Sequence, residues 1–547
     1  MKKKWIAFLC ILALMTVTIS GCGAGSDGMG SENAGSESAE SEIAGSGAQA
    51  DTVIVAMGKS SEPATGFDPC ISWGCGEHCH EPLIQSTLIR TTVDMGFEND
   101  LATDYSVSED GLTWTFTIRD DVRFTDGERL TASDVAFTFN TALATENSEA
   151  DLSMLERAKA VDDVTVEFQL SKPYNAFLYT LAVFGIVPEH CYDRAAYGEN
   201  PIGSGRYIMT QWDKGQQVIF EANPDYYGDE VKIKKVIVLF MEEDAALAAV
   251  KAGEVDIAYT SAIYSEETVD GYHLLACKSV DSRGISLPVV PAGNEVTDGT
   301  ITYAAGNDVT SDKAIRQAMN YALDRQVMID HVLNGYGEVA YSVADNMPWS
   351  TESVIVPYDV EKAKQMLADG GWRDTDGDGI VEKDGVKAEF TIYYSASDSV
   401  RQALTAEFSN QMKEVGIHVL YEGLGTWDEL YTKMYSDPII WGWGSNTPVE
   451  NYQLYYTDGA CNYTGYSSEE TDALLDAALA AEDMEESYKL WQQAQETTGP
   501  DGEALWVWFA NVDHLYFARD GLNVAEQKLH PHGHGWSLVN NIDQWEW

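Results

Sequence analysis

The sequence lacks the short motifs that mark common hydrolases and nucleotide-binding enzymes. No nucleophile elbow of the form G-x-S-x-G occurs, and GKS at 58–60 lacks the first glycine of a phosphate-binding loop because position 53 is valine. The stretch HEPLI at 80–84 lacks the second histidine of a zinc-protease helix. We therefore predict that the chain is not an enzyme, with a secreted hydrolase that uses an unrecognised carboxylate pair as a distant alternative.

Positive charge is also scarce. The 547 residues include 34 Lys and Arg against 88 Asp and Glu, which gives a net charge of −54 at pH 7. A surface this acidic repels the phosphates of nucleic acid and of anionic lipid headgroups, while it tolerates or attracts cations. We therefore exclude nucleic acid as a partner.

Beyond the N-terminus, the sequence has no uninterrupted apolar run long enough to cross a bilayer. At the N-terminus, a basic start (Lys2–Lys4) precedes an uncharged apolar run at 5–19, which is typical of an export signal. The tetrapeptide Ile-Ser-Gly-Cys that ends at Cys22 resembles a bacterial lipobox. This resemblance implies a signal peptide at 1–21, lipidation of Cys22 and an extracytoplasmic protein anchored to the cell membrane.

The composition changes after the predicted signal. Residues 22–50 consist mainly of glycine, serine, alanine and glutamate, which cannot bury enough surface to fold and therefore predict a flexible acidic tether. The chain as a whole is 44% hydrophobic and 11% aromatic, a globular composition. The remainder, about five hundred residues, is too long for one core, so we expect two or more lobes.

Three of the six cysteines that follow Cys22 lie within ten residues. Cys70, Cys75 and Cys79 are interleaved with His78 and His80 in CISWGCGEHCH (70–80). An even number of cysteines in an exported protein suggests disulfides. The same spacing also suits a structural Zn²⁺ site or a site that contacts a ligand. The sequence leaves these alternatives open.

Strand and helix patterns alternate along the chain. Alternating side chains predict strands at 52–58, 112–124 and 164–170. Thr131 is a plausible helix N-cap, and an amphipathic pattern predicts one long helix over 311–335. A second helix is expected to stop at Gly416 and to lead into a strand. This alternation predicts an α/β lobe with a partly parallel sheet.

Four sequence blocks follow one another along the chain: LATDYSVSEDGLTWTFTIRDDVRFTDGERLTASDVAFTFN (101–140), NPIGSGRYIMTQWDKGQQVIFEANPDYYG (200–228), IRQAMNYALDRQVMI (315–329) and YDVEKAKQMLADGGWRDTDGDGI (358–380). In this order they resemble the peptide/nickel (family 5) solute-binding proteins of ABC importers. The resemblance implies a two-lobed, periplasmic-binding-protein-like α/β clamp of type II, with an extra subdomain inserted in the first lobe. Ligand would sit in the cleft, and hinge closure would present it to a permease and its ATPase.

The same resemblance implies a division of the chain into segments. The C-terminus would return to the first lobe and bring the 530s near the Cys/His cluster, and the protein is expected to be a monomer. The expected segments are signal peptide 1–21, tether 22–50, first-lobe segments 51–84, 201–290 and 511–547, inserted subdomain 85–200, and second lobe 291–510.

The expected ligand depends on the branch of the family. Peptide binders typically hold the α-ammonium with an acidic residue in a block like W-x-x-D-Y-x-D-P, but the corresponding WGWGSNTPVENY (441–452) has its nearest acid at Glu450. We expect Trp441 and Trp443 to wall the cleft and Asn446 to contact ligand. This departure favours nickel, free or chelated, as cargo, with a di- or oligopeptide as the alternative. No resident cofactor is expected.

Histidines supply the candidate nickel ligands. KLHPHGHGWSL places His530, His532 and His534 at every second position, so an extended backbone would point three imidazoles to one face. His78 or His80 could face them across the cleft, and Ni²⁺ suits imidazole ligands. The alternatives are a solvated surface run and a structural metal site that joins the two ends of the chain.

Overall fold

The structure is a computed structural model that describes residues 51–75, 79–533 and 535–547. The predicted signal peptide, the tether and Cys22 lie outside these residues, as do His78 and His534. Within the described part of the chain, no helix is both long and apolar enough to span a bilayer.

A seven-stranded sheet forms the first lobe. The predicted strand Thr52–Gly58 lies at its middle and pairs in parallel with two neighbours. Its side chains Val53 and Val55 are fully buried, as is typical of a central parallel strand. The outer strands pair antiparallel. The strands, in order across the sheet, are Tyr272–Cys277, His514–Arg519, Ile257–Thr260, Thr52–Gly58, Lys235–Met241, Gln217–Ala222 and Tyr207–Asp213.

A separate antiparallel sheet of four strands is inserted in the first lobe. The strand expected over 112–124 ends at Ile118, because the Arg119 guanidinium binds Asp121 and the chain bends there. Thr131 is the N-cap of the helix Ala132–Leu143, as expected, in a complete capping box. The strands, in order across the sheet, are Ala102–Val107, Thr113–Ile118, Thr165–Leu170 and Leu155–Ala160.

The second lobe contains a four-stranded sheet and a parallel pair. The long helix predicted over 311–335 is two helices, because the Asp324 side chain accepts the backbone N–H groups of Gln326 and Val327 and starts a new helix. Gly416, at φ +77°, ends the next predicted helix as expected. The strands are Gly337–Val339, Trp506–Val512, Ser282–Ser286 and Ile440–Trp443, in that order, with the pair Glu389–Ser395 and His418–Leu424.

The remaining elements connect and cover these sheets. Two-stranded ribbons are Ile89–Thr91 with Phe97–Asn99, Asn294–Asp298 with Ile301–Ala305, and Glu382–Lys383 with Val386–Lys387. The α-helices are Ala132–Leu143, Phe177–Val183, Glu243–Ala252, Lys313–Ala322, Arg325–His331, Val360–Asp369, Ser399–Met412, Trp427–Tyr431, Val449–Tyr455, Glu469–Ala480 and Met484–Thr498. Short 3₁₀ turns are Lys59–Ser61, Tyr197–Glu199, Ala262–Tyr264, Glu352–Val354, Lys413–Val415, Trp536–Val539 and Ile542–Gln544.

Two crossovers join the lobes. The chain leaves the first sheet at Cys277 and enters the second at Ser282, and it returns between Val512 and His514. The expected first-lobe boundary at residue 290 is therefore too late, because Ser282–Ser286 already pairs with strands of the second lobe. The other expected boundaries stay predictions. The result is the two-lobed α/β architecture that the family resemblance implies.

The C-terminal tail packs on the N-terminal segment of the first lobe, as expected. The Trp536 indole donates to the backbone oxygen of Ser61, Lys528 pairs with Glu81, and the Glu81 N–H donates to Asn540 Oδ1. The tail also lies beside the two crossovers, because the Val280 N–H donates to the backbone oxygen of His530 and the His530 ring contacts His514.

Candidate functional site

A cavity of about 1280 Å³ lies between the lobes. Its walls come from the end of the first strand, the two crossovers, the C-terminal tail and several second-lobe elements. Residues of both lobes line it, among them Arg283, Arg401, Trp427, Trp441, Trp443, Asn446, Glu450, Tyr463, His514 and His532. We refer to this cavity as the cleft.

One wall of the cleft is aromatic. The Trp441 ring stacks on Tyr463 with the ring centroids 4.7 Å apart, and its far neighbours Trp427 and Tyr431 lie 6.2 and 6.0 Å away. The Trp441 indole donates to Ser286 Oγ at 3.0 Å, which fixes its ring. Stacked rings of this kind offer a flat apolar surface to a ligand.

Trp443 and Asn446 also line the cleft, as predicted by position. Trp443 Nε1 and Asn446 Oδ1 are buried, and neither has a hydrogen-bond partner among the residues that the structure describes. A buried polar atom without a partner is costly, so these atoms are sites where a ligand could bond.

Two arginines meet in the cleft, and sequence reasoning missed both. Arg283 lies on the strand Ser282–Ser286, and Arg401 lies in the first turn of the helix Ser399–Met412, where it binds Asp398. A Cβ built on Gly442 would lie 2.6 Å from Arg401 Nη2 and 2.8 Å from Arg283 Nη1. Burial, and then the charge of Arg283, lowers the pKa of Arg401. The two guanidiniums therefore converge on space that a side chain at residue 442 would fill.

Asp281 holds this arrangement together from the crossover. It is fully buried and binds the Arg283 guanidinium through both carboxylate oxygens. It also lies 2.5 Å from His532 Nδ1 and 3.2 Å from His514 Nε2. Burial alone would raise the pKa of Asp281, but Arg283 and then His532 lower it well below its usual range. The group is an ionised carboxylate that orients three cleft residues.

Of the predicted histidines that the structure describes, only His532 lines the cleft. A Cβ on Gly442 would lie 2.7 Å from its Cε1, so the ring joins the two guanidiniums at the same space. Its backbone N–H donates to the oxygen of Gly444 in the second lobe. His532 therefore connects the C-terminal tail to the second lobe at the wall of the cleft.

His530 points elsewhere, and the expectation of a shared face is wrong for these two rings. Its Nδ1 lies 3.2 Å from His514 Nδ1, and its Nε2 lies 3.2 Å from Gln527 Oε1 beside a separate cavity of about 250 Å³. Burial, and then His514, lowers the pKa of His530 well below its usual value. The described residues of this stretch form no strand: His530 makes an isolated bridge to Ser279, and Gly533 turns the chain at φ +109°, so strand alternation does not apply.

His80 also lies away from the cleft. Its buried ring packs 4.3 Å from Trp73 and 5.8 Å from Trp536, between centroids, in an aromatic cluster of the first lobe. His80 therefore has a packing role in the described structure. The metal-binding hypothesis for His78 and His534, and lipidation of Cys22, lie outside the described residues.

Among the described cysteines, Cys70, Cys75, Cys191, Cys277 and Cys461 are free thiols. Cys75, Cys79 and Cys461 line the cleft, whereas Cys70 is buried with its Sγ 3.7 Å from the backbone oxygen of Thr138. Burial, and then the charge of Glu450, raises the pKa of Cys79 to about 12. The protonated form is therefore favoured for this thiol, which weakens the case for a thiolate site in the cleft.

Glu450, the acid nearest to the block that corresponds to the peptide binders' motif, forms hydrogen bonds with the backbone. Its carboxylate oxygens accept the N–H groups of Gly444 and Ser445 at 2.9 and 3.1 Å. Burial raises its pKa to about 7, with these backbone bonds opposing the shift. Glu450 therefore shapes the Trp443–Asn446 turn.

Two lobes, paired crossovers and a ligand-sized cleft define a solute-binding protein of the clamp class. Residues 96–465 match the model of the bacterial extracellular solute-binding proteins, family 5. The chain belongs to this family, whose relatives bind peptides or nickel.

Three curated relatives illustrate the range of the family. Protein XP55 of Streptomyces lividans is 31% identical over 85% of each chain. The oligopeptide-binding protein AppA of Bacillus subtilis is 28% identical over 100% of this chain and 99% of its own. The nickel-binding periplasmic protein of Escherichia coli is 26% identical over 62% and 65%, respectively.

Solved structures show the same range. NikZ from Campylobacter jejuni in complex with Ni(L-His) is 26% identical, with a TM-score of 0.75 over 91% of this chain and 100% of that one. AppA from Bacillus subtilis in complex with a nonapeptide is also 26% identical, with a TM-score of 0.68 over 90% and 98%. Proteins of this family act outside the cytoplasm with an ABC permease and ATPase, and they need no resident cofactor.

Proposed function

We propose that this chain captures a small carboxylate-bearing solute in the cleft and delivers it to an ABC permease. The observation that carries the proposal is the convergence of Arg283, Arg401 and His532 on the space beside Gly442. Binding and hinge closure are the whole mechanism, so the protein is not an enzyme, and the transporter's ATPase supplies the energy.

The hydrogen-bonding state of the arginines supports a carboxylate. Arg283 Nε and Arg401 Nε are buried and have no partner within the described residues, although each guanidinium also binds an aspartate. An unsatisfied buried donor costs about 1–3 kcal/mol. Guanidinium groups match the planar geometry of a carboxylate, which would relieve that cost.

The favoured cargo is Ni²⁺ held by a small chelator. His532 would supply a protein imidazole, which suits nickel, and the carboxylate of Asp281 on Nδ1 would orient the ring. The carboxylates of the chelator would bind the arginines, and Trp441 or Trp443 would pack on it. His78 and His534 remain proposed ligands, whereas the positions of His80 and His530 argue against a direct role for either.

A short peptide is the second candidate, and the size of the cleft favours it. About 1280 Å³ exceeds the roughly 300–1,000 Å³ of pockets for drug-sized ligands, so a ligand of several residues would fit. Its C-terminal carboxylate would occupy the same position between the arginines, and its side chains would pack on the aromatic wall.

The remaining proposals concern the setting of the protein. We propose that Cys22 is lipidated, that the segment 22–50 tethers the clamp to the membrane, and that the protein acts as a monomer. The lipobox-like sequence and the polar composition of the segment support the first two proposals.

The cargo is tested on untagged mature protein purified without added metal. Native mass spectrometry and elemental analysis show what it carries, and calorimetry then measures Ni²⁺, Ni²⁺ with L-histidine, and a short peptide. We expect nickel–chelate binding; peptide without metal would support the second candidate.

A variant tests the shared carboxylate position. Arg401→Gln should lower the affinity for either ligand at least tenfold, because it removes a charged donor. Arg373→Gln is the matched control, since Arg373 lies on the surface and its guanidinium donates to the backbone oxygen of Ala368, away from the cleft. Unchanged affinity in a folded Arg401→Gln variant would contradict the proposal.

A further inference from the structure

Three side chains with metal-binding atoms meet on the surface of the inserted subdomain, outside the cleft. His190 Nε2 lies 2.6 Å from Asp126 Oδ2, and Cys191 Sγ lies 3.9 Å from the same oxygen. One atom from each residue lies within 4.8 Å of the other two. The three residues come from two segments 64 positions apart in the sequence.

Both segments are held in place by their own contacts. Asp126 lies in a tight turn in which Gly127 has φ +92°, and Arg123 donates to the Gly127 oxygen. Asp126 Oδ1 accepts the Glu128 N–H, which leaves Oδ2 toward His190 and Cys191. The backbone of the second segment is anchored because the Glu189 N–H donates to Asp134 Oδ1.

We propose that Asp126, His190 and Cys191 form a binding site for one divalent metal ion, with Zn²⁺ as the best match. A carboxylate, an imidazole and a thiolate are all zinc ligands, and bond lengths of roughly 2.0–2.3 Å place tetrahedral ligand atoms about 3.3–3.6 Å apart. The observed 2.6 and 3.9 Å need changes of less than about 1 Å. Water would complete the site, and the Cys191 thiol proton would pass to solvent on binding.

The chemistry of the surroundings favours a cation. Asp134 adds negative charge near Cys191, Glu189 precedes His190 in the chain, and the chain carries 88 acidic residues in all. A bound ion would join the hairpin turn at Asp126 to the turn at His190. Zn²⁺ would therefore stabilise the inserted subdomain, because a ligand that binds only the folded state shifts the folding equilibrium.

A second group of clustered carboxylates in the described structure lacks the features of the proposed Zn²⁺ site. Asp374, Asp376 and Glu382 lie close together, but the Lys387 ammonium binds Asp376 at 2.9 Å and also binds Asp378. The backbone N–H groups of Gly377 and Gly379 donate to Asp374. This turn is satisfied internally and serves as a control.

Cobalt substitution tests the site on the untagged mature protein under reducing conditions. Co²⁺ bound to a thiolate gives a near-ultraviolet charge-transfer band, so the protein should bind one Co²⁺ with this band and lose the ion to Zn²⁺. Cys191→Ser should abolish the band, while Cys461→Ser, which changes a cleft thiol, should keep it. A band that survives in Cys191→Ser, or no band at all, would overturn the proposal.

Two further measurements test whether the metal binds at Asp126, His190 and Cys191 and not elsewhere. His190→Ala and Asp126→Asn should lower Zn²⁺ affinity at least about tenfold, whereas Asp374→Asn should leave it unchanged. Zn²⁺ should also protect Cys191 from alkylation, since Cys191 is the exposed thiol among the described cysteines. Loss of the band in Cys79→Ser instead would place the metal in the cleft and refute the surface site.

Discussion

The histidine-rich tail and the arginine pair differ in how the chain builds them. The tail is a local pattern, with histidines at every second position, yet His530 and His532 face two different cavities. The arginines show no pattern, since Arg283 and Arg401 lie 118 positions apart, yet their guanidiniums meet within about 3 Å of the space beside Gly442.

The difference comes from the crossovers. Asp281 lies in the first crossover and His514 begins the strand that follows the second, so the residues around them come from both lobes and from the tail. A local repeat indicates which residue types are present, whereas the crossovers determine which side chains face the ligand. Variants of the two regions should therefore behave differently.

The largest effect is expected from Asp281→Asn. It removes the charge that pairs with buried Arg283, and breaking a buried ion pair costs about 3–5 kcal/mol of unfolding free energy. Urea denaturation measures this loss. Asp520→Asn, at an exposed partner of His273, should change stability by less than about 0.5 kcal/mol. Equal stabilities of the two variants would show that Asp281 does not organise the hinge.

The second prediction concerns pH and the buried tail residue His530. Its folded pKa is lowered, so below the unfolded value of about 6.5 the unfolded state binds a proton that the folded state does not. In the wild type, the contribution of His530 to the free energy of unfolding should therefore fall by about 1.4 kcal/mol for each pH unit below pH 6.5.

Denaturation at pH 5, 6 and 7 measures this contribution. His530→Gln should remove this contribution, so the free energy of unfolding of the variant should fall less steeply as the pH is lowered. This holds whatever the absolute stability of the variant. His273→Gln, which changes an exposed histidine of the first lobe, is the matched control. Parallel pH profiles for wild type and His530→Gln would show that His530 titrates normally.

The third prediction tests the convergence itself. Gly442→Ala adds a Cβ within 3 Å of both guanidiniums and the His532 ring, so ligand affinity should fall about 10–100-fold, or about 1.4–2.8 kcal/mol. Calorimetry with the ligand found by native mass spectrometry measures it. Gly58 also lines the cleft, but among the described residues a Cβ there would have only Ser60 Oγ within 4 Å, at 3.7 Å, so Gly58→Ala should bind normally.

The fold was largely predictable because its signals are local or family-wide. Thr52–Gly58, the Thr131 cap and the stop at Gly416 follow from side-chain alternation, capping and positive φ. The break at Asp324 shows the limit, since a cap inside an amphipathic pattern was not recognised.

The site was only partly predictable. Trp441, Trp443 and Asn446 were found because the family block marks their loop, whereas Arg283 and Arg401 depend on contacts between distant segments. One signal was available: in a chain with 34 basic residues, an arginine in the small-residue strand SRGIS has few reasons to be there other than a buried partner or a ligand.

The smallest effect separates the two histidines of the tail. His532→Ala should lower the nickel–chelate affinity about tenfold, because the nickel would lose its bond to the imidazole beside the arginines. His530→Ala should bind the nickel chelate normally, because the His530 ring contacts His514 and lies outside the cleft. Both variants should be made in a Cys191→Ser background, so that metal at the surface site does not contribute to the nickel titration. If His530→Ala reduced nickel binding and His532→Ala did not, His530 would be a nickel ligand, as the spacing of the histidines predicts. The position of His530 beside a separate cavity would then not exclude it from the binding site.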